Sequence, residues 1–341
     1  MTLAGAVAKG AFEAGCLKVI ADSEIPVRRI VASSSGSLNG TVFAAAIRAG
    51  CEREEAEKLT LLWRDEGNWS DTLDFSWRHA WSGKGLSDTT KLMHLLRTHV
   101  KPCATARRVP VSLEIVIAAT GGVLGHIGEL PATTYEVCLS FNDEDFDSEE
   151  GLEKIFAAAV ASCSFPIVFA PTILPGIGPC MDGGVVNNTP LKYALRGPLG
   201  RELEALFVIT PMPLIAPPVA ELHGTGLLMH MAEMLINERL YRDLGDAAVT
   251  NEQLIRLDAL SDGVLDAAQM AAVKKALGWE DVRRVDIVQL RPPEALPGDS
   301  FAALFHQEMR EDYLARGKAS ALQALSERGW TSPTVNFAWQ P

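Results

Sequence analysis

Apolar and polar positions alternate along the chain in two periods, and the switch between them sets the first elements. Residues 1–7, MTLAGAV, form a short apolar strand that runs into Gly5. Over residues 9–21, apolar side chains at Phe12, Cys16, Leu17 and Ile20 recur at helical spacing. A second short strand follows at 29–32, then four serines within five positions (Ser33, Ser34, Ser35 and Ser37). Residues 40–49 then read as a buried alanine-rich helix closed by Gly50. Strand, glycine turn, helix, strand, serine turn, helix is the opening of an α/β protein.

Further along, residues 52–66 predict an amphipathic helix and 92–99 another. Between them, Trp69, Phe75, Trp77, Trp81, Gly83 and Gly85 break the periodicity. The run PVSLEIVIAAT at 110–120 suits a buried strand, and 134–141 suits a second. GGVLGHIGELPA between them reads as a turn-rich connector. The acidic run 142–150 is expected to be solvent-exposed. A helix over 153–162 leads to FPIVFAPTILPGIG and CMDGGVVNNTPL, and 206–210 reads as a sheet strand. Pro211, Pro213, Pro217 and Pro218 then forbid regular structure. A methionine-bearing helix (Met229, Met231, Met234) is predicted over 227–242, suited to core or lid packing or to lining a greasy substrate channel. Residues 284–290 predict a last strand, residues 301–325 are mostly helical, and the tail contributes Trp330, Phe337 and Trp339.

The 341 residues, 48% hydrophobic, can bury a large core in one or two domains. A formal charge of -12, without a Lys/Arg block, disfavours nucleic acid as a partner. Cys16, Cys51, Cys103, Cys138, Cys163 and Cys180 are dispersed with no CxxC. That spacing fits neither a zinc knuckle nor a disulfide framework and points to a reducing, cytoplasmic setting. The N-terminus lacks the basic n-region of a signal peptide, and the small-residue runs at 44–47 and 157–161 are far short of a membrane span. At most, peripheral membrane contact is expected.

The serine turn is the first candidate for chemistry. A nucleophile on a strand-to-helix elbow needs small residues two before and two after it, because the turning backbone brings those positions together. Ser33 has Val31 behind it and Ser35 has serines on both sides, whereas Ser34 is flanked by Ala32 and Gly36. Ser34 fits best, and the helix from Gly36 would aim its free amides at the site. Taken alone, the stretch is equally compatible with a capped helix. A phosphate loop fits the stretch less well, because GxxxxGK[ST] is absent. LAGAVAKGAFEAG at 3–15 presents backbone N–H groups above a sheet. It is a poor dinucleotide fingerprint, with Val7 where GxGxxG needs glycine. In MDGGVVNNTPL, Asp182 offers a carboxylate at a sharp turn. None of the histidines His94, His99, His223 and His230 belongs to a metal-ligand grouping, so neither metal nor cofactor is expected. His306 alone suits the chain order of a Ser-Asp-His triad, but it lies in FAALFHQEM, which reads as helix.

Together these pieces resemble the patatin-like phospholipase family. Its GGGxxG oxyanion loop corresponds to GAVAKG (Gly5 to Gly10), and its GxSxG elbow to ASSSGSLN. The segment before its second catalytic loop corresponds to ASCSFP, and its DGG motif to DGGVVNNTP. The resemblance covers residues 3–210 and implies a three-layer α/β/α fold with a central, mostly parallel sheet. Residues 1–210 would be the catalytic core, with 211–341 a mostly helical part packed on the same domain. It further implies a lipid acyl-ester hydrolase in which Ser34 is the nucleophile and Asp182 the base. Backbone amides of Gly5, Ala6 and Val7 would form the oxyanion hole, supported by Lys9, Gly10, Gly36, Asn39 and Gly183. Lys9 is expected to orient the loop or meet a phosphate, and Asn39 and Asn187 to fix loops. Ala32 replaces the first elbow glycine, and Ala6 and Val7 replace two glycines of the triplet. If either loop position needs φ > 0, a Cβ is strained there, most of all at β-branched Val7. Two other readings stand beside this one: a catalytically silent scaffold of the same fold, and a Ser-Asp-His esterase.

Overall fold

The computed structural model describes residues 1–75, 86–102, 108–127, 130–166, 168–195, 203–213, 225–261, 264–279 and 282–330. Trp77, Trp81, Gly83, Gly85, Cys103, Pro217, Pro218, His223, Phe337 and Trp339 lie outside them, as do the side chains of Met229, Met231 and His230.

Ten strands form among the described residues: β1 (Thr2–Leu3), β2 (Arg29–Ser33), β3 (Asp74–Phe75), β4 (Ser87–Asp88), β5 (Ser112–Ile127), β6 (Leu130–Phe141), β7 (Thr172–Leu174), β8 (Gly178–Met181), β9 (Ala205–Ile209) and β10 (Asp286–Leu290). The longer helices are α1 (Gly10–Asp22), α2 (Ser35–Ala49), α3 (Glu52–Asp65), α4 (Thr90–His99), α5 (Glu149–Ser162), α6 (Thr225–Ser261) and α7 (Gln307–Glu327). The main sheet runs β10-β9-β1-β2-β5-β8-β7, with β6 also on β5. It is parallel from β10 to β5 and antiparallel beyond.

Both faces of the sheet are covered, which gives a three-layer α/β/α arrangement. Period-2 alternation sorts each strand between two cores. Ile30 and Ala32 of β2, with Phe207 and Ile209 of β9, join Phe12, Leu17 and Phe43 of α1 and α2. Val31, Leu206 and Val208 turn to the other face, against Leu240 of α6. Inside the sheet, Arg29 places its guanidinium against the Glu114 carboxylate at 2.5 Å, pinning the start of β2 to β5.

The structure corrects several sequence expectations. GGVLGHIGELPA is not a connector: its described residues continue β5 and β6 into one long antiparallel hairpin, from Leu113↔Phe141 out to Ile127↔Leu130. Glycines that read as punctuation are tolerated because the partner strand supplies the hydrogen bonds. The register shift between Ala118 and Val123 absorbs Gly122 at φ +66. The helix after the serines starts at Ser35 rather than residue 40. α6 runs 37 residues, far beyond 242. The stretch 301–325 is broken at His306, which occupies the N-cap position of α7 with φ -126. The acidic run is mostly exposed, and folds into a one-turn helix, Asp143–Phe146, closed by a capping box from Asn142. No described helix is long and apolar enough to cross a membrane.

Candidate active site

β2 ends at Ser33 and α2 begins at Ser35, so Ser34 alone makes the turn, at φ 51 and ψ -133. A non-glycine residue held there stores about 1–3 kcal/mol of strain, and its surroundings fix it firmly. The Ser34 N–H donates to Ser162 Oγ at 2.8 Å, and Ser162 Oγ donates onward to the Val116 carbonyl at 2.6 Å. The Ser34 carbonyl accepts from the Ser37 N–H, from Ser37 Oγ at 2.6 Å and from Cys163 Sγ at 2.9 Å. Gly36 is needed for space: a Cβ there would lie 2.7 Å from the Leu3 carbonyl oxygen and 2.8 Å from that of Ala4.

Asp182 reaches the same point from β8. Ser34 Oγ donates to its Oδ2 at 2.6 Å, and the Gly184 N–H donates to Oδ1 at 2.7 Å. Gly183 is sterically required, and Gly184 is crowded by side-chain oxygens. A Cβ on Gly183 would fall 2.0 Å from the Val116 oxygen, and one on Gly184 would fall 2.9 Å from Asp182 Oδ1. The alignment comes from β5. β6 occupies one edge of β5, so β2 and β8 share the other, β2 up to Ser33↔Val116 and β8 at Ala118↔Met181. Those two β5 residues are about 7 Å apart along the strand, and the Ser34 turn fills the gap. Asp182 is 2% exposed. Burial pushes its carboxyl up to about 7, against the smaller opposing pull of the Ser34 hydroxyl and the Gly184 amide.

The glycine-bearing loop closes over the pair. A Cβ on Gly5 would sit 2.2 Å from Ser34 Cβ, so bare backbone packs on the serine. Asn188 clamps Gly5: its Oδ1 accepts the Gly5 N–H at 3.0 Å and its Nδ2 donates to the Gly5 carbonyl at 2.8 Å. The Ala6 N–H donates to Ser35 Oγ at 2.9 Å. Two of the three loop amides are therefore engaged inside the protein. The third belongs to Val7, which stands at φ 51, and its N–H has no acceptor among the described residues. Lys9 is buried, and its N–H closes a turn onto Ala6. Asn39 is buried beneath Gly10, donating to the Gly10 carbonyl at 3.0 Å and to Glu13 Oε2 at 2.9 Å. Burial holds the Glu13 carboxyl well above the usual carboxylate range. Asn187 lies apart from Ser34 and donates to Glu136 Oε1 at 2.6 Å.

Ser35, Ser162 and Asn188 carry much of this geometry; Ser35 was weighed only as a poorer nucleophile, and the other two were not singled out from the sequence. The first serine of ASCS and the second asparagine of NN were the only traces of the last two. Ser34 and Asp182 open onto a cavity whose other walls are largely apolar, including Val7, Leu38, Trp63, Phe165 and Phe169. Among the described residues, no histidine lines it. His306 is exposed, with Nδ1 3.3 Å from Glu308. Among the described residues, no His, Cys, Asp or Glu side chains group as metal ligands do.

A family model described as Patatin-like phospholipase matches residues 1–195, more than half of the chain. Among solved structures, the crystal structure of VipD from Legionella pneumophila matches at 12% identity with a TM-score of 0.45. That match covers 95% of this chain and 66% of the other, so this chain spans just under two thirds of its length. No curated protein matches.

Proposed function

We propose, for a chain that belongs to the patatin-like phospholipase family, that this hydrolase acts on lipid acyl esters through Ser34 as nucleophile and Asp182 as sole general base. The observation that carries the reading is the 2.6 Å hydrogen bond from a strained Ser34 to a fully buried carboxylate. As Ser34 Oγ bonds to the ester carbonyl carbon, its proton passes to Asp182 Oδ2. An ordinary carboxylate is a weak base for a hydroxyl; one lifted to about 7 is better matched to neutral pH. The carbonyl oxygen, now an oxyanion, takes the Val7 N–H and the first free amide of α2, that of Ser35. The tetrahedral centre collapses, the alkoxide leaves with the proton from Asp182, and Ser34 holds the acyl group. A water then gives its proton to Asp182 and its oxygen to the acyl carbon. Ser34 Oγ leaves as alcohol by recovering that proton, and the fatty acid is released.

The silent-scaffold reading keeps one observation in its favour: the Gly5 and Ala6 amides already have acceptors. The two readings part on p-nitrophenyl ester hydrolysis by wild type, S34A and D182A, with fluorophosphonate labelling of Ser34 alongside. Turnover by wild type, with a loss of about 10⁴-fold or more in both folded variants, supports the hydrolase. Equal rates in wild type and S34A, with no labelling, would establish the scaffold.

A further inference from the structure

Two apolar cavities lie side by side, and Ser34 lines the first of them. The first, of about 70 Å³, holds the Ser34–Asp182 pair at its polar end. The second, of about 60 Å³, is walled by Val42, Leu59, Leu95 and Leu96 and ends at Glu66 and His99. Leu38, Trp63, Thr72 and Leu92 line both, so these four side chains are the partition.

Trp63 is the fixed member of that partition. Its Nε1–H donates to Asn39 Oδ1 at 2.6 Å, and Asn39 is itself anchored on Gly10 and on buried Glu13. The indole is gripped from two sides by glycines. A Cβ on Gly10 would lie 2.7 Å from its Cζ2, and one on Gly67 would lie 3.0 Å from its Cε3. A ring bonded at its edge and pressed between two backbones is a wall, not a swinging gate.

We propose that Trp63 is the chain-length stop of the acyl site, making this a hydrolase of short- to medium-chain acyl esters. The inference rests on the reading of Ser34 as the nucleophile. At about one water-sized group per 10–15 Å³, the first cavity takes roughly five to seven such groups, an acyl chain of about six to eight carbons. The second would take about four to six more once the indole is gone. Longer chains meet the Trp63 ring before their carbonyl reaches Ser34.

The experiment is the kcat/KM profile on p-nitrophenyl esters from acetyl to palmitoyl, for wild type, W63A, L95W and W63A/L95W. Circular dichroism checks that each is folded. Wild type is expected to peak near hexanoyl to octanoyl, with palmitoyl at least tenfold lower. W63A raises the palmitoyl-to-hexanoyl ratio at least tenfold. W63A/L95W, which refills the second cavity, returns the ratio to the wild-type value, while L95W alone leaves it there. A wild type that turns over esters while W63A keeps the same profile overturns the stop and leaves the Ser34 reading standing. A wild type no better than S34A removes the catalytic reading. The stop is then decided by calorimetric binding of octanoate and palmitate to S34A and S34A/W63A. Tighter octanoate binding that reverses in S34A/W63A upholds it; equal binding, or none, overturns it.

Discussion

Ser34 and Val7 share a backbone angle and little else. Both are non-glycine residues at φ 51, a conformation that favours glycine, and both face the same cavity. At Ser34 every backbone polar group is engaged: the N–H by Ser162, the carbonyl by Ser37 and Cys163. At Val7 the N–H points to no acceptor among the described residues, although its neighbours Gly5 and Ala6 are tied down. One strained turn is locked so that a side chain is delivered; the other leaves a backbone donor unused. Strain marks both places, and the hydrogen-bond partners say which atom each has on offer.

The comparison breaks on both sides at once at Gly5, whose bare Cα lets the two turns touch. Gly5→Ala drives a methyl into Ser34 and Asn188. It is expected to cost about 1–3 kcal/mol of stability and, by displacing nucleophile and donor together, about 10³-fold in kcat/KM. Urea denaturation and ester hydrolysis measure the two losses.

On the Ser34 side, Asp182→Asn sharpens the comparison through pH. Between the ordinary carboxylate pKa and about 7, the folded protein holds a proton that the unfolded chain has released. Stability therefore falls as pH rises through that window, by up to roughly 4 kcal/mol. Activity runs the other way, since the base must be ionised: kcat/KM is expected to rise from pH 5 to a plateau above about 7. Asp182→Asn should abolish turnover and lessen the fall of stability with pH, leaving the part that buried Glu13 contributes. Chemical denaturation across pH 4–8 reads the second effect, and an unchanged slope in the variant would refute the assignment.

On the Val7 side the smallest effect is expected. Val7→Gly relieves a β-branched residue at positive φ, worth about 1–2 kcal/mol, and leaves the amide in place. Stability should rise by about that amount, with kcat/KM changed less than tenfold; a large loss of activity would mean that the valine side chain holds the donor in place.

Local chemistry explains what could be read from the chain in advance. β2, the Ser34 turn and α2 were legible because the flanking residues Ala32 and Gly36 and the change of period are all within a few positions. The helix starting at Gly10 was legible for the same reason. The β5–β6 hairpin was not, since its glycines are made strand-like by a partner that the local pattern does not name. Asn188 meets Gly5 across 183 residues and Ser162 meets Ser34 across 128, so nothing near either one announces the contact. The conformation of Val7 lay between these cases. The sequence stated the condition under which valine would be strained, and only the fold shows that the condition is met.

The shared edge of β5 has a consequence for how the chain can be cut or lengthened. Ser34 and Asp182 are 148 residues apart in sequence, yet their separation is set by two neighbouring rungs of one strand. Insertions or a nick in the intervening loops change the path between the two residues without changing the jig that holds them. The working unit is a register, and connectivity is incidental to it: two fragments that pair correctly along β5 would rebuild the same 2.6 Å contact, whereas a single slipped rung in an intact chain would destroy it.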